Sequence, residues 1–275
     1  MAGMTASDLQ LAERLRPRRY RGVNWLGLRT LYLREVRRFL KVGTQTVLAP
    51  VVTSLLYMLI FVVAVQGAAP PIGGVPFADF IAPGLVMMAI LNNAFANSSS
   101  SLIQAKIMGT APDFLTPPLS PFEQAAGFAL GAVTRGIFVG AVTAVAVFFF
   151  AEFRISHIWA IVYYGLAASF MMGFAGVFVG LWAEKFDHLA AATNFVIVPM
   201  TFLSGTFYLV DRLPYPFDVI SHYNPFFFLI DGFRYGFIGR ADGNLALGAV
   251  VTAVLTLLLG ALCWRLFRQG YRLKT

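Results

Sequence analysis

Polar and ionisable side chains are scarce inside the apolar stretches of this 275-residue chain, so the few that occur mark where chemistry is possible. Arg135 is the one charge well inside a hydrophobic run. It lies about 11 residues past the inner end of that run, roughly 16 Å deep at the helical rise. A charge at that depth costs at least about 2.5–3.5 kcal/mol, so it faces a bundle interior or water. Two readings follow. Arg135 contacts an anionic substrate or an ion pair that changes with conformation, or it sits in a permanent buried pair or on backbone carbonyls. A second polar set, Asn93, Asn97, Ser101 and Gln104, recurs at helical spacing, with Asn92 and Ser98–Ser100 alongside. These side chains either line a path or let helices pack closely. An interhelical hydrogen bond in a membrane averages only about 0.6 kcal/mol, which is compatible with either.

Other chemistry is missing. There is no G-x-x-x-x-G-K-[ST] loop and no G-x-G-x-x-G opening a helix, so no nucleotide site is expected here. His157, His188 and His222 are isolated near the ends of apolar runs and suggest interfacial histidines rather than metal ligands. The single cysteine, Cys263, excludes an intrachain disulfide or a cysteine cluster. A membrane-embedded enzyme would need a catalytic acid or nucleophile at depth, and none is evident.

The elements that must carry these residues follow from composition. The chain is 58% hydrophobic and only 12% charged, about half the charged share of soluble domains, which predicts an all-α integral membrane protein. The first 24 residues lack an apolar core, so no cleaved signal peptide is expected. Residues 1–24 are a basic tail. Over 25–41, Trp25, Leu28, Tyr32, Val36 and Phe39 recur at helical spacing, with Arg34, Arg37, Arg38 and Lys41 opposite; this predicts an amphipathic interfacial helix. Arg29 falls on the apolar side and must snorkel or find a partner. Six spans of about 20 residues are then expected within 42–267, near 44–65, 80–103, 124–150, 158–182, 189–210 and 245–267, followed by a tail over 268–275. The net charge of +8 is not that of a nucleic-acid binder, since no such motif accompanies it. Ten of the 21 Lys and Arg precede Val42 and four follow Cys263, so both termini are expected to be cytoplasmic.

Two connections stand out. The loop over 105–123 carries Pro117, Pro118 and Pro121, which interrupt any long helix, yet it also holds Phe114, Leu115, Leu119 and Phe122. A short helix starting near Pro112 or Asp113 would present Phe114 and Leu115 to a partner, or the loop simply lies on headgroups. Between the fifth and sixth spans, 211–244 contains an apolar stretch of about 13 residues after Pro225, too short to cross and so re-entrant or interfacial. Asp231 and Arg234 are spaced i,i+3 and could pair, and Phe226 and Phe227 would form with them either an outer gate or a fixed lid.

The chain resembles ABC-2-type permeases, the membrane subunits of bacterial ABC exporters, and in particular their YadH-like and NodJ-like members. The resemblance rests on Phe80-Ile-Ala-Pro-Gly-Leu-Val-Met-Met, Phe114-Leu-Thr-Pro-Pro-Leu-Ser-Pro, Thr201-Phe-Leu-Ser-Gly-Thr-Phe-Tyr, Leu213-Pro, Asn224-Pro and Gly232-Phe-Arg-Tyr-Gly. It implies a six-helix inner-membrane subunit that homodimerises among membrane lipids and exports an amphipathic substrate such as a lipid, a lipid-linked glycan or a drug. It also implies a separate ABC ATPase, which holds the ATP and magnesium and docks at Pro112, Asp113, Phe114, Leu115, Thr116, Pro117, Pro118 and Leu119. Family docking helices often carry glutamates where this chain has Pro112 and Asp113. The competing class is an ATP-independent secondary transporter or channel using Arg135.

Overall fold

The computed structural model describes residues 22–65, 71–72, 74–152 and 154–272. Most of the basic tail, including Arg14 to Arg21, and most of the link between the first two spans lie outside the described residues, as do the last three positions. The described chain is helical, with a single isolated bridge between Ile72 and Val75. In order it forms α1 (Trp25–Lys41), α2 (Gly43–Val65), α3 (Phe77–Ile107), the four-residue α4 (Pro112–Leu115), α5 (Pro121–Val147) and α6 (Ile158–Trp182). There follow α7 (Phe186–Ala192), a π-turn (Thr193–Ile197), α8 (Val198–Phe202), α9 (Phe217–Tyr223), α10 (Pro225–Ile238) and α11 (Leu245–Gln269).

Local chemistry sets these bounds. Asn24, Ser120, Asn224 and Asn244 each accept a hydrogen bond from a first-turn N–H, and proline opens α5 and α10, where its missing donor costs nothing. Gly239 and Gly270 end α10 and α11 with φ of 73° and 64°, which a side chain would resist. Among the described residues five helices are long and apolar enough to cross a membrane: α2, α3, α5, α6 and α11. The expected fifth span behaves differently. Helix runs from Phe186 to Phe202, about 25 Å at the helical rise, but it carries a π-turn and then Pro199, and it stops at Phe202 instead of continuing to Val210. Beyond it Gly205 takes φ 74°, and Ser204 and Thr206 are buried in a folded irregular segment.

Helices α3 and α6 form the centre, with α5, α10 and α11 packed on them. Met87, Leu91 and Phe95 of α3 meet Tyr164, Ala168 and Met172 of α6 and Phe226, Ile230 and Phe233 of α10. Small residues permit this approach: a Cβ on Gly176 would strike the Phe95 carbonyl, and one on Gly232 would strike the Tyr164 ring. Outer faces stay apolar, as at Leu257 (72% exposed) and Phe195 (81%), a surface that only lipid or another protein could cover.

Gly176→Ala is expected to destabilise the detergent-purified protein by about 1–3 kcal/mol through overpacking against backbone. Gly43→Ala, where a Cβ meets nothing within 4 Å, is the control and should leave the melting temperature unchanged. Equal melting temperatures for both variants would contradict the α3–α6 packing.

Candidate functional site

The bundle end that holds α1 and the 105–123 loop is assembled around aromatic packing and two carboxylates. Gly109, at φ 68°, turns the chain out of α3, and Pro112 opens α4. Phe114 does not project outward as expected: it is 2% exposed, its ring meets Phe128 edge-on at 5.3 Å, and Phe128 stacks on Phe267 of α11 at 6.1 Å. The reason is physical. A phenyl ring at the first turn of a four-residue helix gains more by entering the cluster of Leu31, Leu102 and Phe128 than by facing solvent. Leu115, Pro117 and Leu119 are partly buried, while Pro112, Asp113, Thr116 and Pro118 are exposed. A cavity of about 270 Å³ lies between the loop and α1, lined by Thr30, Arg34, Asp113 and Pro117 among others.

Glu123 locks this loop to the start of α1. One carboxylate oxygen accepts the Asn24 N–H at 2.5 Å and the other accepts the Ser120 N–H at 2.6 Å, while Ser120 Oγ accepts the Glu123 N–H at 3.3 Å. The Asn24 amide adds a bond to the Pro118 carbonyl at 3.2 Å. Ser120 and Glu123 form a capping box whose acid also reaches a second element.

Further along α1, where it packs on Gly131 of α5, Glu35 is fully buried. Its carboxylate accepts from Ser101 Oγ at 2.7 Å and pairs with Arg38 at 3.3 Å. Arg38 in turn donates to the Asn97 carbonyl at 2.6 Å, to Asn97 Oδ1 at 3.1 Å and to Ser100 Oγ at 3.2 Å. The buried stripe of α1 is therefore Leu31, Glu35 and Phe39, rotated from the stripe expected through Trp25 and Leu28; Trp25 is 73% exposed. Arg38, expected on the outer polar face, turns inward to α3, and Arg34 lies 5.7 Å over the Phe114 ring. Asn93 sits one turn above Asn97, and its Oδ1 accepts from Arg135 at 3.2 Å. The structure thus brings Asn93, Asn97, Ser101 and Arg135 to one side of α3, where they join helices as well as sharing a face.

Residues 27–238 match the family model described as ABC-2 type transporter. This chain belongs to the ABC-2 type transporter family. It is 34% identical over 252 residues to the inner membrane transport permease YadH of Escherichia coli strain K12, covering 91% of this chain and 98% of that protein. It is also 23% identical over 231 residues to nodulation protein J of Rhizobium leguminosarum bv. viciae, covering 82% and 86%. With five helices among the described residues long and apolar enough to cross, this ABC-2 family member is a multi-pass membrane transport component, and its family brings no ATPase domain of its own.

At the opposite end of this ABC-2 chain, Phe226, Phe227, Asp231 and Arg234 are all buried. The expected Asp231–Arg234 pair is replaced by other partners. Asp231 accepts the N–H groups of Asp242 and Gly243, each at 2.9 Å, which holds the turn before α11. Arg234 donates to the Gly205 carbonyl at 2.6 Å, pairs with Asp242 at 3.4 Å and stacks 3.9 Å over Phe80. Burial draws the Arg234 guanidinium below its ordinary pKa, and the Asp231 and Asp242 carboxylates pull it back up. Asp231 and Arg234 are thus each bonded to the turn before α11, and Phe226 and Phe227 pack beside them in the core.

Sequence reading missed Glu35, Arg38 and Glu123. The available signals were the Glu35 position, four residues from both Leu31 and Phe39, and the S-x-x-E spacing of Ser120 and Glu123. Glu123→Ala should free the α1 start and cost about 1–3 kcal/mol. Hydrogen exchange at the Asn24 and Ser120 amides is expected to speed up together; protection unchanged at both would refute the clamp.

Proposed function

We propose that this protein is the permease subunit of an ATP-driven exporter in the bacterial inner membrane. Two copies form the translocation pathway, and a separate ABC ATPase drives them. The run from Phe186 to Phe202 acts as a short sixth crossing, which puts both termini in the cytoplasm and α1 at the inner interface. The substrate is amphipathic: a lipid, a lipid-linked glycan or a drug. One observation carries this reading. A chain with no phosphate-cradling loop has an exposed polar edge, Pro112, Asp113, Thr116 and Pro118, fastened through Phe114 and Glu123 to both α1 and the spans. A partner that pushes on that edge moves the whole inner end.

The ATPase therefore docks on Asp113 and Thr116 and beside the cavity next to α1, while Phe114 holds the dock in place from within. Asp113→Lys is expected to weaken recovery of the ATPase with the purified permease by about tenfold, a change of about 1.4 kcal/mol, with no loss of thermal stability. Phe114→Ala should instead destabilise the permease itself, by about 3–5 kcal/mol. Normal ATPase recovery with Asp113→Lys and normal stability with Phe114→Ala would reject this dock.

Cys263 is buried, so Cys263→Ser gives a background for labelling with an impermeant thiol reagent. Met108→Cys (Met108 is 64% exposed) should react in inside-out vesicles only. Tyr223→Cys (Tyr223 is 84% exposed) should react in intact cells. Labelling of Met108→Cys from outside would invert the topology.

A further inference from the structure

Arg135 stands 14 residues into α5, about 21 Å from its start, and Asn93 lies equally far from the end of α3. Its recorded hydrogen bond goes to a neutral amide oxygen, and among the described residues no carboxylate lies within ion-pair distance of it. Arg38 lies one turn nearer the inner end and shares its only acid, Glu35, with Ser101. Two guanidinium groups, bonded to Asn93 and Asn97 one turn apart on α3, thus have a single carboxylate between them, and it pairs with Arg38. The atoms left without partners around them are all donors: Arg135 Nε, Arg38 Nε and Asn97 Nδ2, the last on a fully buried side chain. A cluster short of both negative charge and acceptors is complementary to an oxyanion. Further along the same face of α5, Phe138 (43% exposed) and Val145 (65%) leave apolar surface open toward the outer end.

We propose that Arg135, with Arg38 and the Asn97 amide, binds the anionic headgroup of the transported amphiphile, and that Phe138 and Val145 flank its tail. This rests on the permease reading and narrows its substrate to amphiphiles carrying a phosphate or carboxylate group. Arg135 supplies the charge, Arg38 and Asn97 supply further donors, and Asn93 fixes the Arg135 guanidinium while the site is empty of substrate.

The test is binding to the full-length permease in a neutral detergent, followed by calorimetry, with three probes: dihexanoyl-phosphatidylglycerol, dihexanoyl-phosphatidylcholine and inorganic phosphate. The phosphatidylglycerol should bind saturably, and the other two at least about tenfold more weakly. Arg135→Gln should weaken phosphatidylglycerol binding about tenfold to a hundredfold, as expected for one lost charge-assisted hydrogen bond. Asn93→Asp gives Arg135 an internal anion, so it should lose the same binding while keeping or raising the melting temperature. That variant decides the matter if Arg135→Gln fails to fold. Equal affinity for phosphatidylcholine would overturn the anion site, and equal affinity for inorganic phosphate would overturn the amphiphile. Unchanged binding in Asn93→Asp would overturn the role of Arg135. Because no ATPase is present, these failures would leave the permease reading to its own co-purification test.

Discussion

A carboxylate taken out of water has to be paired and hydrogen-bonded, or the element carrying it will not stay in place. Glu35 imposes this condition on the end of the bundle that carries α1. Buried on α1, it is held by Ser101 of α3 and by Arg38, and Arg38 reaches Asn97 on α3. Leu31 and Phe39 bury the apolar part of the same stripe, while Trp25, Leu26 and Leu40 remain exposed, so the acid sits in the middle of the face that α1 presents to the bundle. Glu123 repeats the device at the helix start, spanning the Asn24 and Ser120 amides. The two acids make α1, the 105–123 loop and the inner halves of α3 and α5 one mechanical body. α4 is fastened to that body through these hydrogen bonds and through the Phe114–Phe128–Phe267 contacts.

The polar stripe of α3 joins its helix to two neighbours. Ser101 and Asn97 face α1, and Asn93 faces α5, so the polar residues sit where three helices meet. One acid, Glu35, satisfies the lower part of the stripe and only an amide the upper part. That gradient leaves positive charge at mid-depth. At the far end the balance is different: Arg234 is matched by Asp242, the Gly205 carbonyl and the Phe80 ring.

Much of this was legible from the sequence. The bounds of α1 follow from its periodicity and basic face, α4 from Pro112 and Asp113, and α6 from its apolar run. Periodicity cannot fix a helix's rotation when an acid lies on its buried stripe. Glu35 beside Arg34, Arg37 and Arg38 looks like one partner in an exposed i,i+3 pair, and only the α3 hydroxyl and amide groups show otherwise. A short helix opening at Pro112 predicts that Phe114 is presented to a partner, but Phe128, fourteen positions away on another helix, covers it from within. The expected end of the fifth span at Val210 fails for a similar reason. Apolar composition continues past Phe202, but Gly205, Ser204 and Thr206 are used there to satisfy Arg234 and one another, which no hydropathy pattern records.

Glu35 through Ser101, and Arg38 through Asn97 and Ser100, tie α1 to α3 as one unit, and a double-mutant cycle in thermal or denaturant unfolding measures their coupling directly. Glu35→Leu and Arg38→Leu each leave a charge without its partner, so each alone should cost about 3–5 kcal/mol. The double variant should cost markedly less than their sum. Losses that add to within about 0.5 kcal/mol would mean the two side chains do not act as a unit, and the account of the inner end would fail.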